Sequence, residues 1–255
     1  GGLYLDSKPG LYTDVIELDF ASLFPSIIAT RNISPETLNC ACCQPTNEIV
    51  TSANYLPLEV NSANSEFRRR RLEERVGTGL FPVPSSYALQ VPGLSSHTCG
   101  RVHGFLGRVV APIIERRRQL KQQMVHKGDA IDKQQNALKW LLVTCFGYTG
   151  YKNARFGRIE AHEAICAWAR EILLQTIAIA EEEGWTVLHA IVDCVWIHRE
   201  DVSRQEKQVL ARRFADRVTQ EIGIPLEYED LYSFIGFLPS RMHGAGSLTK
   251  YWAYG

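Results

Sequence analysis

The sequence predicts a mixed α/β (α+β) fold, in which an antiparallel split-βαβ sheet has helices on one face and a two-helix hairpin follows its first strand. Segments rich in β-branched and aromatic residues occur near both ends of the chain. Long segments with apolar residues at helical spacing separate them, and Gly or Pro interrupts the pattern between segments. The resulting order of strand, helix, two strands, helix and strand is that of a split βαβ unit.

The first strand is predicted to end near Asp19 and to pass through a proline-containing turn into a helix. Residues 31–100 contain many Ser, Asn, Pro and Cys, and only one charged helical stretch, near residues 66–75. This segment has little apolar periodicity, so no regular architecture is predicted for it.

A helical hairpin is predicted next. Apolar residues recur at helical spacing from Phe105 to Met124, Gly128 is expected to close that helix, and Asp129 can cap a second helix that runs to about Cys145. Because the connection is short, the two helices should be antiparallel neighbours.

The last hundred residues complete the predicted sheet. A third helix should occupy residues 158–183, and two strands should meet in a tight turn at Val192 and Asp193. A fourth helix is expected from Ser203 to residue 222. Short strands are predicted at LEYE, at YSFIGFLP and around Tyr251.

Composition narrows the class of protein. The chain has 255 residues, of which 45% are hydrophobic and 22% charged, and its apolar runs, such as AICAWA, fall far short of the roughly 18 residues that span a bilayer. We therefore expect no membrane partner. The odd number of seven cysteines argues against a disulfide framework. A reducing, cytoplasmic location is the prediction.

Charge is unevenly distributed although the net charge is zero. Residues 101–158 contain twelve Lys and Arg against three acidic residues, a net charge of +9 for that segment. Such segregation can make one surface attractive to phosphates, or it can belong to a solvated basic helix.

Two aspartates can meet if the predicted sheet forms. Asp19 ends the first strand and Asp193 lies in the turn of the later hairpin. Paired carboxylates from separate strands can hold two Mg²⁺ ions about 4 Å apart for phosphoryl transfer. Isolated aspartates at strand ends also serve as turn formers.

Three cations on the predicted hairpin suit a triphosphate. Arg117 and Lys121 are four residues apart and share a helix face, while Lys139 lies on the second helix. Arginine supplies a planar fork for phosphate oxygens and lysine supplies point charges. The alternative is that ERRRQLK is a solvated stripe.

Cysteines and histidines flank the irregular segment and suggest a structural zinc site. Three thiolates and one imidazole from two segments would complete a tetrahedral site, and free buried cysteines are the alternative. The candidate ligands are Cys40, Cys42, Cys43, Cys99, His97 and His103.

The motifs taken together resemble those of the family B DNA polymerases. LDFASLFPSII resembles the DxxSLYPSI motif, and IIERRRQLK resembles the RxxxK of the first fingers helix. KWLLVTCFG occupies the place of KxxxNSxYG, and AIVDCVWI the place of YGDTDS. Order and approximate spacing agree over nearly the whole chain. The altered motifs resemble those of a divergent archaeal and bacterial branch of the family, which implies a prokaryotic protein associated with the nucleoid.

The resemblance implies a role for each motif residue. Asp19 and Asp193 would be the catalytic ligands of two Mg²⁺ ions. Residues along the incoming nucleotide would be Phe20, Ser22, Leu23, Phe24, Arg117, Lys121 and Lys139. Phe24 stands where the family has the tyrosine that rejects a ribose 2′-hydroxyl. Lys250 and Tyr251 would contact the primer duplex.

Three departures from the family pattern involve four residues. Ile191 replaces the first aspartate of DTD, Val143 and Thr144 replace the Asn-Ser pair, and Phe146 replaces the tyrosine of the same motif. Ile191 should face the same site as Asp193, because residues two apart on a strand share a face. Glu17 shares the strand face of Asp19. It could partly replace the charge missing at Ile191, although a solvated glutamate is the expected role.

The resemblance implies template-directed DNA synthesis from dNTPs on primer-template DNA. Residues 1–30 and 149–255 would form the palm, 31–104 a palm insertion and 105–148 the fingers. Thumb and exonuclease domains are expected to be absent, so that other subunits or separate regions would supply them. The alternative is an inactivated polymerase domain that binds DNA or assists assembly.

Overall fold

In a computed structural model of the chain, the described residues are 2–43, 49–50, 88–124, 126, 128–239 and 246–255. They form two compact units, the first comprising Gly1–Ala21 and Ala169–Gly255 and the second Ser22–Trp168. The predicted charged helical stretch near residues 66–75 lies outside the described residues.

The fold combines helices with a mainly antiparallel sheet, as the sequence predicts. In chain order the elements are β1 (Tyr4–Leu5), β2 (Gly10–Phe20), α1 (Leu23–Thr30), β3 (Ile49–Val50), β4 (Ala88–Gln90), β5 (His97–Thr98), α2 (Phe105–Gln123), α3 (Ala130–Thr149), α4 (Ile159–Glu182), β6 (Thr186–Ile191), β7 (Cys194–His198), α5 (Arg204–Ile222), β8 (Leu226–Pro239) and β9 (Gly246–Tyr254).

The first unit contains a six-stranded sheet of order β1-β6-β7-β2-β8-β9, and every neighbouring pair is antiparallel. Strand β2 lies between β7 and β8, and its residues Val15, Ile16, Leu18 and Phe20 are buried. An early strand is therefore held on both sides by strands from the end of the chain.

Helix α5 packs against β2 and β8. It begins with a capping box between Ser203 and Glu206 and ends at Gly223, whose φ of 80° suits glycine. Its buried stripe consists of Ala211, Phe214, Ala215, Val218 and Ile222, together with Lys207. The predicted boundaries of this helix are confirmed.

Two predicted boundaries are wrong. LEYE and YSFIGFLP form one strand, β8, because both halves pair with β2 across a bulge at Glu17 and Leu18. Helix α2 ends at Gln123 rather than Gly128, because Gly128 belongs to the turn before α3, where its N–H donates to the Asp132 carboxylate at 2.7 Å.

The second unit contains α1, α2 and α3, which pack on one another, and a small sheet of order β3-β4-β5. Helix α3 begins with Asp129 as N-cap, as predicted, but extends beyond Cys145 to Thr149. In the described ranges no helix combines the length and apolar character needed to cross a membrane.

Candidate active site

Asp19 and Asp193 lie close together at one end of neighbouring strands in the middle of the six-stranded sheet. Asp19 is next to last in β2 and pairs with Cys194, the first residue of β7. The Phe20 N–H donates to the Asp193 carbonyl at 2.9 Å, which fixes the two segments together. Ligand atoms of Asp19, Asp193 and Cys194 all lie within 4.8 Å of one another. The two carboxylates therefore meet, as the predicted strand order requires.

The turn that presents Asp193 is strained. Val192 has a φ of 55°, a conformation that costs a β-branched residue about 1–3 kcal/mol. Its N–H donates to the Leu3 carbonyl at 3.0 Å, and the Asp193 N–H donates to the Ile191 carbonyl at 2.6 Å. These bonds hold the turn and fix the backbone from which the Asp193 carboxylate projects.

The site concentrates negative charge. Burial raises the pKa of Asp19 to about 7, and repulsion from the Asp193 carboxylate adds to the effect. The Cys194 thiol donates to Asp19 Oδ1 at 3.1 Å and lowers this pKa in part. A cation between the carboxylates would offset the cost of burying the Asp19 charge and would reduce the repulsion between Asp19 and Asp193.

The donor set could hold a divalent cation such as Mg²⁺. Carboxylate oxygens are the hard ligands that Mg²⁺ prefers, and Asp19 and Asp193 supply them from two segments. Burial and the neighbouring Asp19 carboxylate raise the pKa of Cys194, so its sulfur stays protonated. We therefore treat Cys194 as a hydrogen-bond donor to Asp19, not as a magnesium ligand.

Magnesium binding is expected to strengthen as pH rises through about 7, because Asp19 must first lose its proton. Its pKa is 3.8 without the protein environment, so the metal-free protein should lose stability between about pH 4 and about pH 7. Thermal melts should show a larger Mg²⁺-induced rise in Tm at about pH 8 than at about pH 5.5. Equal rises at both pH values would contradict the assignment, and Asp19→Asn should abolish the pH dependence.

Other predicted residues of the first unit lie on the same sheet. Glu17 is half-buried and accepts a hydrogen bond from the Tyr232 hydroxyl, so the expected solvated role is wrong. Burial raises the pKa of Glu17 despite this bond. Lys250 and Tyr251 are both exposed, and the Tyr251 ring also packs edge-on against Trp196 at 5.3 Å. Both side chains are therefore accessible, and that of Tyr251 is anchored on one side.

In the second unit, Arg117 is positioned by Ser22. The Arg117 Nη1 donates to the Ser22 Oγ at 2.7 Å, and Ser22 precedes α1 with a left-handed φ of 53°. Arg117 is half-buried, and Lys121 follows it one turn later with similar exposure. A hydrogen bond therefore links Ser22 directly to Arg117 on α2.

The remaining nucleotide candidates differ in exposure. Lys139 is exposed on α3, while the side chains of Phe20 and Leu23 are buried at 1% and 2% exposure. Phe20 and Leu23 can therefore offer only backbone groups to a ligand.

An aromatic column joins three helices of the second unit. The Phe24 ring stacks on Phe146 with centroids 4.1 Å apart, and Phe146 stacks on His162 at 4.6 Å. The Thr149 Oγ1 lies 3.3 Å from the His162 Nδ1. Phe24 is therefore held in a fixed orientation by Phe146, which in turn rests on His162.

The candidate zinc ligands divide into two groups. The sulfurs of Cys40, Cys42, Cys43 and Cys99 all lie within 4.8 Å of one another. The His97 Nε2 lies 3.8 Å from the Cys40 sulfur but is outside this group, as is His103.

A comparison with known protein families matches the part of the chain that contains these motifs. The family model described as DNA polymerase family B matches residues 1–211. The chain belongs to DNA polymerase family B. The match includes both aspartates, the α2 and α3 helices and the four-cysteine group.

Several archaeal polymerases are similar to this family B chain. DNA polymerase 2 of Saccharolobus solfataricus is 31% identical over 241 residues, which cover 94% of this chain and 28% of that protein. The DNA polymerase of Thermococcus gorgonarius is 28% identical over 240 residues, covering 91% and 26%. The family B DNA polymerase structure from Pyrobaculum calidifontis matches all of this chain and 28% of its own, with 24% identity and a TM-score of 0.62. The chain therefore spans about a quarter of the length of these relatives.

The departure from the family B pattern at Ile191 is accommodated by packing. Ile191 pairs with Cys194, which pairs with Asp19, so the three residues form a row across β6, β7 and β2. Ile191 also packs against an apolar cluster that includes Trp196 and Phe237. Its side chain is therefore on the face of Asp19, about 10 Å away by two strand spacings.

Sequence reasoning missed three partners of the candidate site. The contact of Cys194 with Asp19 depends on the register of β7 against β2, and the Tyr232 bond to Glu17 depends on the register of β8 against β2. The stacking of His162 joins helices distant in sequence. Of these, only Cys194 had a sequence signal, because it adjoins Asp193.

Proposed function

We propose that this chain contributes the palm and fingers of a template-directed DNA polymerase. The reaction is nucleotidyl transfer from a dNTP to the 3′-hydroxyl of a primer paired with template DNA. The observation that carries the proposal is the meeting of Asp19 and Asp193, with a buried carboxylate whose charge calls for a cation. Membership of family B supports it.

In this proposal residues 1–30 and 149–255 form a split-βαβ palm, residues 105–148 the fingers and residues 31–104 an insertion. The strand order supports the palm, since β2 lies beside the β6–β7 hairpin and β8. The packing of α2 on α3 supports the fingers hairpin.

Each candidate residue then has a chemical task. Asp19 and Asp193 would hold two divalent cations, whose chemistry would be to neutralise charge on the phosphates and to favour ionisation of the attacking hydroxyl. Arg117 offers a planar fork to phosphate oxygens, and its bond to Ser22 fixes the direction of that fork. Lys121 and Lys139 add point charges, while Lys250 and Tyr251 contact the primer duplex.

The direct test is primer extension by the full-length protein with dNTPs and Mg²⁺, run beside duplex binding without nucleotide. Extension that requires both template and Mg²⁺ supports the proposal. Binding of the duplex without extension in any condition would instead favour the inactivated, DNA-binding alternative.

Replacement of Phe24 by alanine is expected to raise the use of ribonucleotides relative to deoxyribonucleotides by about tenfold or more, a change of roughly 1.4 kcal/mol. The physical reason is that alanine removes the ring that Phe146 holds in place, leaving room for a 2′-hydroxyl. Single-nucleotide incorporation with matched rNTP and dNTP measures the ratio of kcat/KM values. Phe156→Ala is the control, because Phe156 is a half-exposed aromatic residue that packs on Phe105 instead. An unchanged ratio in Phe24→Ala would refute the role of this ring.

A further inference from the structure

Four cysteine sulfurs form a compact group in the second unit. Cys40, Cys42 and Cys43 lie in a short segment after α1, and Cys99 directly follows β5. The Cys42 sulfur is 3.5 Å from that of Cys40, 3.5 Å from that of Cys99 and 3.9 Å from that of Cys43. The Cys43 and Cys99 sulfurs are 3.7 Å apart. These distances define a small cluster with room for one central atom.

The spacing fits a metal tetrathiolate. A zinc ion bound by four sulfurs at about 2.3 Å places the sulfurs about 3.8 Å apart at the corners of a tetrahedron. A disulfide needs about 2.05 Å between sulfurs, and all four cysteines are free. The observed separations of 3.5 to 3.9 Å therefore match the edges of a zinc site.

The surroundings of the cluster favour bound thiolates. The backbone N–H groups of Arg101 and Val102 donate to the Cys99 sulfur at 3.4 and 3.3 Å. The His97 ring nitrogen lies 3.8 Å from the Cys40 sulfur, from a side chain that is itself buried. The two backbone donors orient the Cys99 sulfur and stabilise negative charge on it. Cys42 is exposed, which leaves a route for the ion to enter.

We propose that Cys40, Cys42, Cys43 and Cys99 bind one structural zinc ion. Four protein ligands close the tetrahedron and leave no position for a substrate or water, so the ion is structural. His97 lies beside the ligands and His103 is outside the set, in contrast to the three-thiolate and one-imidazole site expected from the sequence. This proposal does not depend on the proposed function.

The ion would join the segment after α1 to the segment before α2. Asn32 already connects them, since its Nδ2 donates to the carbonyls of Cys99 and Val102 at 2.7 and 2.8 Å, and its Oδ1 accepts from the Gly104 N–H at 2.8 Å. A metal would add a second and stronger link between the same segments. Metal binding supplies folding energy where it fixes two chain segments in this way.

The test measures zinc in the full-length protein purified under reducing conditions without chelator, and again after incubation with zinc chloride and desalting. Wild type and Cys145→Ser are expected to hold about one zinc per chain, since structural sites bind tightly and Cys145 is outside the cluster. Cys42→Ser is expected to reduce zinc retention at least about tenfold, because it removes one of four ligands while changing an exposed side chain. His97→Ala is expected to keep the zinc.

Cobalt substitution of the wild type keeps the proposal testable if a variant fails to fold. A tetrahedral cobalt thiolate gives sulfur-to-metal charge-transfer absorption in the near ultraviolet and strong bands in the red. Less than about a tenth of an equivalent of zinc in wild type, with no such cobalt spectrum, would overturn the proposal in favour of free thiols. Undiminished zinc in folded Cys42→Ser, or zinc lost from folded His97→Ala, would overturn the four-cysteine ligand set.

Discussion

Asparagine in place of Asp19 or Asp193 is expected to lower the rate of primer extension by about a thousandfold or more, equivalent to roughly 4 kcal/mol of transition-state stabilisation. An amide has nearly the shape of the carboxylate but lacks the charge that holds a divalent cation. Single-turnover extension at saturating dNTP and Mg²⁺ measures the effect on the chemical step.

The same substitution at Asp19 is expected to raise the free energy of unfolding at about pH 8, since the buried carboxylate with a pKa of about 7 is ionised there at a cost. A variant that loses activity while gaining stability cannot have failed through unfolding. Urea denaturation of wild type and Asp19→Asn in the absence of metal supplies the comparison.

Asp14→Asn is the matched control for Asp19→Asn. Asp14 lies on the same strand, but its carboxylate pairs with Arg204 and is not grouped with Asp19 and Asp193. This variant should extend primers at close to the wild-type rate. If wild type, Asp19→Asn and Asp193→Asn all gave the same background extension in the full-length protein, the carboxylate pair would have no role in synthesis.

Alanine in place of Arg117 is expected to raise the KM for dNTP by about ten- to a hundredfold, because a charge-assisted phosphate contact contributes roughly 1.5–3 kcal/mol. The neighbouring Arg118 supplies a matched control. Arg118 donates two hydrogen bonds to Glu115 at 2.9 Å and is more exposed, so Arg118→Ala should leave the KM within about twofold.

Steady-state incorporation of one nucleotide over a range of dNTP concentrations measures both variants. Equal KM values for Arg117→Ala and wild type would remove Arg117 from the nucleotide site. Ser22→Ala adds a second measurement, because loss of the hydroxyl removes the bond that orients Arg117 and should produce a smaller rise in KM.

The sequence predicts elements whose signals are local. Asp129 begins α3, and the Ser203 capping box and Gly223 bound α5, because capping depends on residues within one turn. The meeting of Asp19 and Asp193 was also predictable, since Asp19 lies near the end of a strand and Asp193 in a hairpin turn, each in a motif of recognisable spacing.

Features that depend on register or distant packing were not predictable. The continuity of β8 relies on a bulge opposite Glu17, and no local pattern indicates which residue will be skipped. The set of zinc ligands could not be predicted for the same reason. The sequence offers six candidate ligands, and only the fold shows that four sulfurs come together. Their spacing along the chain contains no such information.

The central position of β2 has a consequence for synthesis of the chain on the ribosome. Its partner β7 begins more than 170 residues later, which is roughly 10 to 35 s at typical rates of translation. During that interval a strand containing Val15, Ile16 and Leu18 has neither neighbour, and unpaired apolar strands tend to associate with other chains. Glu17 and Asp19 interrupt this apolar run with negative charge, which opposes such association. The carboxylate proposed for catalysis would thus also protect the unfinished protein from aggregation.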